Sequence, residues 1–138
     1  MFRNKAFTLL ESLIVLSIIA FLCVIAVSLP RPTEKQVTKS FLKKYESFFS
    51  QAQLSAQRSN RDTELIFNQN DIYFSDCHKR LQRLAIPKEI LAPSRKMVIK
   101  ANGYVTPMTL IFSNPKGNRK FSLIYSLGFG NYRVEKSK

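Results

Sequence analysis

The chain has 138 residues, 45% of them hydrophobic, and carries 22 Lys and Arg against 9 Asp and Glu, a formal net charge of +13 at pH 7. Beyond an apolar N-terminal stretch this leaves roughly 75 to 105 residues, room for one small domain on a stalk rather than several. The excess of cations suits polyanionic surroundings such as nucleic acid, anionic lipid or wall polymer, and is equally the mark of a solvated Lys-rich face; charge specifies no fold. Of the two cysteines, Cys23 lies inside the apolar run and Cys77 well beyond it. A thiol held in a membrane segment does not pair with one in an outer domain, so no intramolecular disulfide is expected. Cys77 and His78 are adjacent and offer two metal ligands at most, too few for a zinc site. Neighbours in sequence seldom point at each other, and no third group orients them for nucleophilic catalysis. Without G-x-S-x-G, a P-loop, G-x-G-x-x-G or H-E-x-x-H, the chain points to no enzyme, no metal and no cofactor.

In chain order, a short basic leader (Arg3, Lys5) precedes Phe7–Leu29, which carries one charge, Glu11. At 1.5 Å per residue that run reaches about 34 Å, enough to cross a hydrocarbon core of about 30 Å as one helix. A carboxylate in such a helix is costly and marks a functional-site candidate that needs a cationic partner. Three fates fit the run. It can be a permanent single-pass anchor. It can be an ordinary secretory signal cut after Ala26-Val27-Ser28, although Glu11 then sits against the apolar region of the signal. A lipoprotein site at Cys23 is disfavoured by the bulk of Leu22.

Pro30 and Pro32 end or kink this helix. From about Thr33 to Asn60 the pattern becomes amphipathic. Val37, Phe41, Tyr45, Phe48, Ala52 and Ser55/Ala56 recur every three or four residues, with Lys39, Lys43, Glu46, Gln53 and Gln57 elsewhere on the cylinder. The spacing predicts a second helix, or the outer half of one long helix, lying along a sheet, with Thr33 or Thr38 as its cap. The aromatics on its stripe are expected in the core rather than on a base-stacking platform.

Beyond Asp62 the period becomes two. Thr63–Phe67 and Asp71–Phe74 flank Asn68-Gln69-Asn70 and predict a hairpin. Residues Ser75–Ala92 fit a short helix or an irregular strand through Leu81, Leu84 and Ile90, interrupted by Pro87 and Pro93. Strands follow at Lys96–Lys100, Thr109–Ser113, Phe121–Leu127 and Tyr132–Glu135, separated by turns at Asn102-Gly103, Asn114–Asn118 and Gly128–Asn131. About six strands after a helix imply an α+β domain whose antiparallel sheet or sheets pack on the amphipathic helix.

Lys5-Ala6-Phe7-Thr8-Leu9-Leu10-Glu11-Ser12, running into an apolar helix, resembles the type III signal of type IV pilins and pseudopilins. In that family a prepilin peptidase cuts before the Phe on the cytoplasmic side, methylates the new amine, and leaves the helix in the protein. The resemblance implies cleavage between Ala6 and Phe7, N-methylation of Phe7, and a leader at residues 1–6. It also implies a transmembrane and filament-core helix at 7–29 and an extracytoplasmic head at 30–138, with its amphipathic helix at 33–60 and its β-rich part at 63–136. Ala6 departs from the usual Gly and is the next smallest side chain. Removal of Arg3 and Lys5 lowers the cations from 22 to 20 against 9 acids, so the mature chain stays strongly basic. The cations after the span outnumber those before it, but long domains translocate largely regardless of charge, and the processing motif is taken to set the orientation. The fold it implies is α+β and pilin-like, a long N-terminal helix with a transmembrane half and an amphipathic half, packed on an antiparallel β-sheet head.

Glu11 lies one turn beyond the amine that a cut before Phe7 would release. Within one subunit both groups sit at a helix N-terminus, where the dipole favours the carboxylate and disfavours the amine. Against a neighbour shifted along the axis, Glu11 would neutralise that neighbour's amine and set the axial register of subunits.

The order helix, hairpin, Leu110-Ile111-Phe112, Gly117, Phe121–Ile124, Gly128, Gly130, Tyr132-Arg133-Val134 is similar to minor pseudopilins with a sheet-rich head. With the short chain and no paired cysteines, it looks most like those of the competence system of Gram-positive bacteria. That likeness implies a structural subunit of a competence type IV pilus, in the cell membrane and at the cell surface, that helps a filament start or assemble so that DNA is taken up in transformation. Its partners would be other pilin-like subunits of the same filament, the prepilin peptidase and the membrane. Two other readings stand. The head binds DNA directly, through cations among Arg58, Arg61, Lys79, Arg80, Arg83, Arg95, Lys96, Lys100, Lys116, Arg119, Lys120, Arg133 and Lys136, with Lys79, Arg80, Arg83, Arg95, Lys96, Arg119 and Lys120 the seven foremost, or the chain is a secreted basic protein cut by ordinary signal peptidase after Ser28.

Overall fold

A computed structural model describes residues 9–28, 32–126, 128 and 130–136. The chain divides at Pro32–Thr33 into two units, each described by itself.

The first unit contains helix α1, Leu9–Ser28, whose only charged side chain is Glu11 in the first turn. Leu, Ile, Val and Phe surround the cylinder, and none of its residues is buried within the chain. A helix apolar on every side finds its stable surroundings in lipid or between other helices, not on a protein surface in water. Two of its hydroxyls are satisfied within the helix: that of Ser17 donates to Leu13 O at 2.8 Å and that of Ser28 to Val24 O at 2.7 Å. Such back-bonding hides hydroxyls that lipid would leave unsatisfied.

The second unit opens with α2, Glu34–Ser59. Thr33 stands before it in extended conformation, and its backbone N–H and its hydroxyl both donate to Gln36 Oε1, at 2.9 and 3.0 Å. Thr38 sits inside the helix and returns its hydroxyl to Glu34 O, so Thr33 takes the capping place. The helix stops at Asn60, which adopts a left-handed backbone (φ 48°) that Asn tolerates, and the N–H of Arg61 donates to Ala56 O. The buried face is Phe41, Tyr45, Phe48, Phe49, Ala52, Ser55 and Ala56. It follows the spacing expected from sequence, with Val37 only half covered at its start.

Seven antiparallel strands follow: β1 Thr63–Phe67, β2 Asp71–Ser75, β3 Leu81–Ala85, β4 Arg95–Ile99, β5 Met108–Ser113, β6 Arg119–Tyr125 and β7 Tyr132–Lys136. They form two sheets, one ordered β3-β2-β1-β4 and the other β5-β6-β7. The β1–β2 hairpin turns at Asn68, whose N–H donates to Asp71 O at 2.8 Å. The stretch left open between helix and strand is β3, an edge strand of alternating exposure, with Leu81 two-thirds exposed. The strands predicted at Lys96–Lys100, Thr109–Ser113 and Tyr132–Glu135 each shift or extend by one residue. That predicted at Phe121–Leu127 begins two residues earlier, because Arg119 pairs with Ser113 across a bulge in β5. Leu127 and Phe129 of the last turn lie outside the described residues.

The two sheets share one core. Toward its N-terminus α2 sets Phe41 against Phe112 and Phe121, with ring centroids 5.9 and 6.4 Å apart. Farther along, Tyr45 meets Phe67 and Phe48 meets Phe74, at 6.2 and 5.1 Å, in the four-stranded sheet. Burying each such ring contributes about 1.5–3 kcal/mol. Leu91 and Ser113 exchange backbone hydrogen bonds and tie the loop after β3 to the edge strand β5. Gly130 turns the chain into β7 with φ +81°, and a Cβ there would lie 2.5 Å from Gln53 Nε2 and 2.7 Å from Phe49 Cε1.

Candidate functional site

The strongest chemical signal in the sequence is the junction before Phe7. Ala6 and Phe7 lie outside the described residues. Glu11 stands exposed in the first turn of α1, where the helix dipole favours a carboxylate. The 20 residues of α1 include an 18-residue window with a mean hydropathy of 2.8. Their length of about 30 Å matches a hydrocarbon core. Glu11 is thereby placed near one end of the apolar cylinder and not at its middle, where charge is dearest.

The cations named as polyanion contacts do not form one stripe. Lys79 and Arg80 occupy the turn between β2 and β3, Lys79 with a left-handed backbone (φ 59°). Asp76 organises this turn: its Oδ1 receives the N–H groups of His78 and Arg80 at 2.9 and 2.8 Å. Those donors hold its carboxyl below the usual range. Arg83, opposite Tyr73, is ion-paired with Asp71. Arg95 and Lys96 open β4 opposite Phe67 and Ile66, and Lys96 lies 3.6 Å from Glu64. Arg119 and Lys120 belong to the other sheet. Arg119 Nη2 is 2.9 Å from Glu135 Oε2 on the neighbouring strand. Lys120 Nζ donates to Glu89 O at 3.1 Å and stands 3.6 Å from Glu34, with its side chain only 15% exposed. Four of the seven therefore carry carboxylate partners, set by strand register that the sequence does not display.

Two cationic surfaces emerge instead at opposite ends of α2. Near its start, a groove of about 520 Å³ combines Lys35, Lys39, Lys120 and Lys136 with Glu34 and an apolar floor of Leu42, Phe121 and Val134. Beyond its last turn, a cleft of about 710 Å³ holds Arg58, Arg61 and Lys79. Arg58 and Arg61 belong to the wider set of candidate cations that the sequence offers. Their signal was available, since cations at a helix C-terminus complement its dipole. Cys77 and His78 border this cleft, and Cys77 is an exposed free thiol, as is Cys23. Among the described residues no cluster of three His, Cys, Asp or Glu is arranged to hold a metal ion.

Comparison with known proteins bears on both units. The whole described architecture, an apolar helix plus a second helix packed on antiparallel sheets, is a pilin-like fold. It is similar to the solution structure of E. coli GspH, with a TM-score of 0.52 at 15% identity, over 75% of this chain and 94% of that one. Residues 1–27 match the family described as the prokaryotic N-terminal methylation motif. No curated protein sequence matched the chain. Motif and apolar helix together fit a membrane-anchored, type IV pilin-like protein.

Proposed function

We propose that this chain is a minor pilin-like subunit of a competence type IV pilus, with a structural role in starting or assembling the filament for DNA uptake. The observation that carries the reading is a methylation motif over residues 1–27 joined to a chain with a pilin-like fold. The peptidase cuts between Ala6 and Phe7 and methylates the Phe7 amine. Residues 7–29 then serve as membrane anchor and later as filament core, and residues 30–138 as the extracytoplasmic head. In the filament Glu11 neutralises the amine of an axially shifted neighbour, and this pairing replaces lipid by helix–helix contact around α1. The reading involves no chemical step by the chain itself.

Within the superfamily, the order of elements and the short chain without paired cysteines favour the minor pilin-like protein D of the ComG system, ComGD. GspH is a type II secretion pseudopilin, and a secretion role is the neighbouring assignment. Deletion of the gene, followed by transformation and secretion assays, separates the two. The competence reading predicts loss of transformation with secretion unchanged, and restoration by the intact gene. Normal transformation in the deletion strain would overturn it.

A further inference from the structure

The cleft beyond α2 differs from the rest of the basic surface in how its charges are satisfied. Arg58 and Arg61 reach it from the helix end and Lys79 from the β2–β3 turn. Among the described residues none of these three has a carboxylate partner, unlike Arg83, Lys96, Arg119 and Lys120. Two carboxylates, Asp62 and Asp76, also stand on its wall. Asp62 accepts Lys100 Nζ at 2.8 Å and the N–H of Ala101 at 3.1 Å, and Asp76 is occupied by the turn's own N–H groups. Three cations without an ion-pair partner thus face one open cavity, against Asp62, which is paired with Lys100, and Asp76, which keeps its charge.

We propose that this cleft binds the phosphate backbone of duplex DNA. Guanidinium groups match phosphate oxygens with paired, charge-assisted hydrogen bonds, and Lys79 adds a mobile point charge. Among the described residues no Phe, Tyr or Trp lines the cleft, and its one ring is that of His78. One imidazole makes no continuous platform for successive unpaired bases, which favours a duplex held by its backbone over a single strand held by stacking. The 26 residues of α2 span about 39 Å. The cleft is therefore at the end of α2 remote from Thr33. Recognition through phosphates carries no sequence preference. The choice of DNA among phosphodiester polymers rests on the DNA-uptake reading above.

The test uses the full chain in detergent micelles and a fluorescent 30-base-pair duplex, followed by anisotropy at 50 and 200 mM salt. Three phosphate contacts give a log–log salt slope of roughly −2.7 and a loss of affinity of roughly 40-fold between the two salts. Arg58→Ala/Arg61→Ala/Lys79→Ala is expected to weaken binding at least about 10-fold and to flatten the slope. Lys35→Ala/Lys39→Ala/Lys136→Ala removes the same charge at the other end of α2 and is expected to leave both nearly unchanged. Equal loss in the two triple variants, no binding by the unaltered chain, or stronger competition per phosphate by poly(glycerol phosphate) than by unlabelled duplex would each overturn the proposal. Failure of the two readings is distinguishable in cells. A deletion strain that transforms normally ends the DNA-uptake reading, whereas a deletion strain that fails, rescued fully by the Arg58/Arg61/Lys79 triple variant, ends the cleft proposal alone.

Discussion

The hydroxyls of Tyr45 and Tyr125 meet at 2.5 Å inside the core, joining α2 to the middle strand of the three-stranded sheet across eighty residues of sequence. Both side chains are essentially buried, at 0% and 2% exposure, so each oxygen depends on the other. Removing one partner strands the second. Tyr45→Phe or Tyr125→Phe is expected to cost about 1–3 kcal/mol, and the double variant less than the sum of the two. Denaturant unfolding of the full chain in micelles checks this, and strict additivity would contradict it.

The same pair makes an alkaline prediction. Burial, with the neighbouring tyrosines, holds the hydroxyl pKa of Tyr45 well above its ordinary value, and burial raises that of Tyr125. Unfolded tyrosines lose their protons near pH 10 while these keep theirs. The folded state then binds more protons than the unfolded one, so stability falls with rising pH. The contribution is whole below about pH 10 and is lost above it. Melting temperatures from pH 8 to 11 should fall beyond pH 10, and less steeply in the double Phe variant.

Two glycines with the same backbone need separate what the turn requires from what the core requires. Gly117 has φ +84° and nothing within 4 Å of an added Cβ, whereas Gly130 has φ +81° and meets Gln53 and Phe49. Gly117→Ala is expected to cost about 1–2 kcal/mol, the left-handed penalty alone. Gly130→Ala adds displacement of the Phe49 ring, a further cost of about 1–3 kcal/mol. Equal destabilisation in the two variants would show that Phe49 yields freely.

Much of the head was legible because its signals are local. The stripe Phe41, Tyr45, Phe48, Ala52 has a period that only a half-buried helix explains, and Asn68-Gln69-Asn70 between β-branched and aromatic runs marks a hairpin on its own. β3 was not legible. As an edge strand it buries little, so Leu81 faces solvent and alternation is weak, while Pro87 and Pro93 close by imitate a loop. Nor was the fate of the cations. Arg83 with Asp71 and Arg119 with Glu135 are partners across strands, and such pairs exist only once register is set. The Arg58, Arg61 and Lys79 cleft likewise needs the fold, because the β2–β3 turn is brought to the helix end by tertiary packing.

Glu11 gives a prediction about assembly. Glu11→Val removes the only charged side chain of α1 and is expected to leave the protein in the membrane while its recovery in sheared filaments drops severalfold. Glu11→Asp keeps the charge on a shorter arm and should rank between the two. Unchanged recovery of the Val variant would contradict the pairing of Glu11 with a neighbour's amine.

The central claim, that the apolar segment is a processed filament helix and not a discarded signal, stands on one bond. Intact-mass analysis and N-terminal sequencing of the protein from its native membrane read that bond directly. The account predicts a chain beginning at N-methylated Phe7. A chain beginning at Leu29, or one still beginning at Met1 in the presence of active prepilin peptidase, would contradict it.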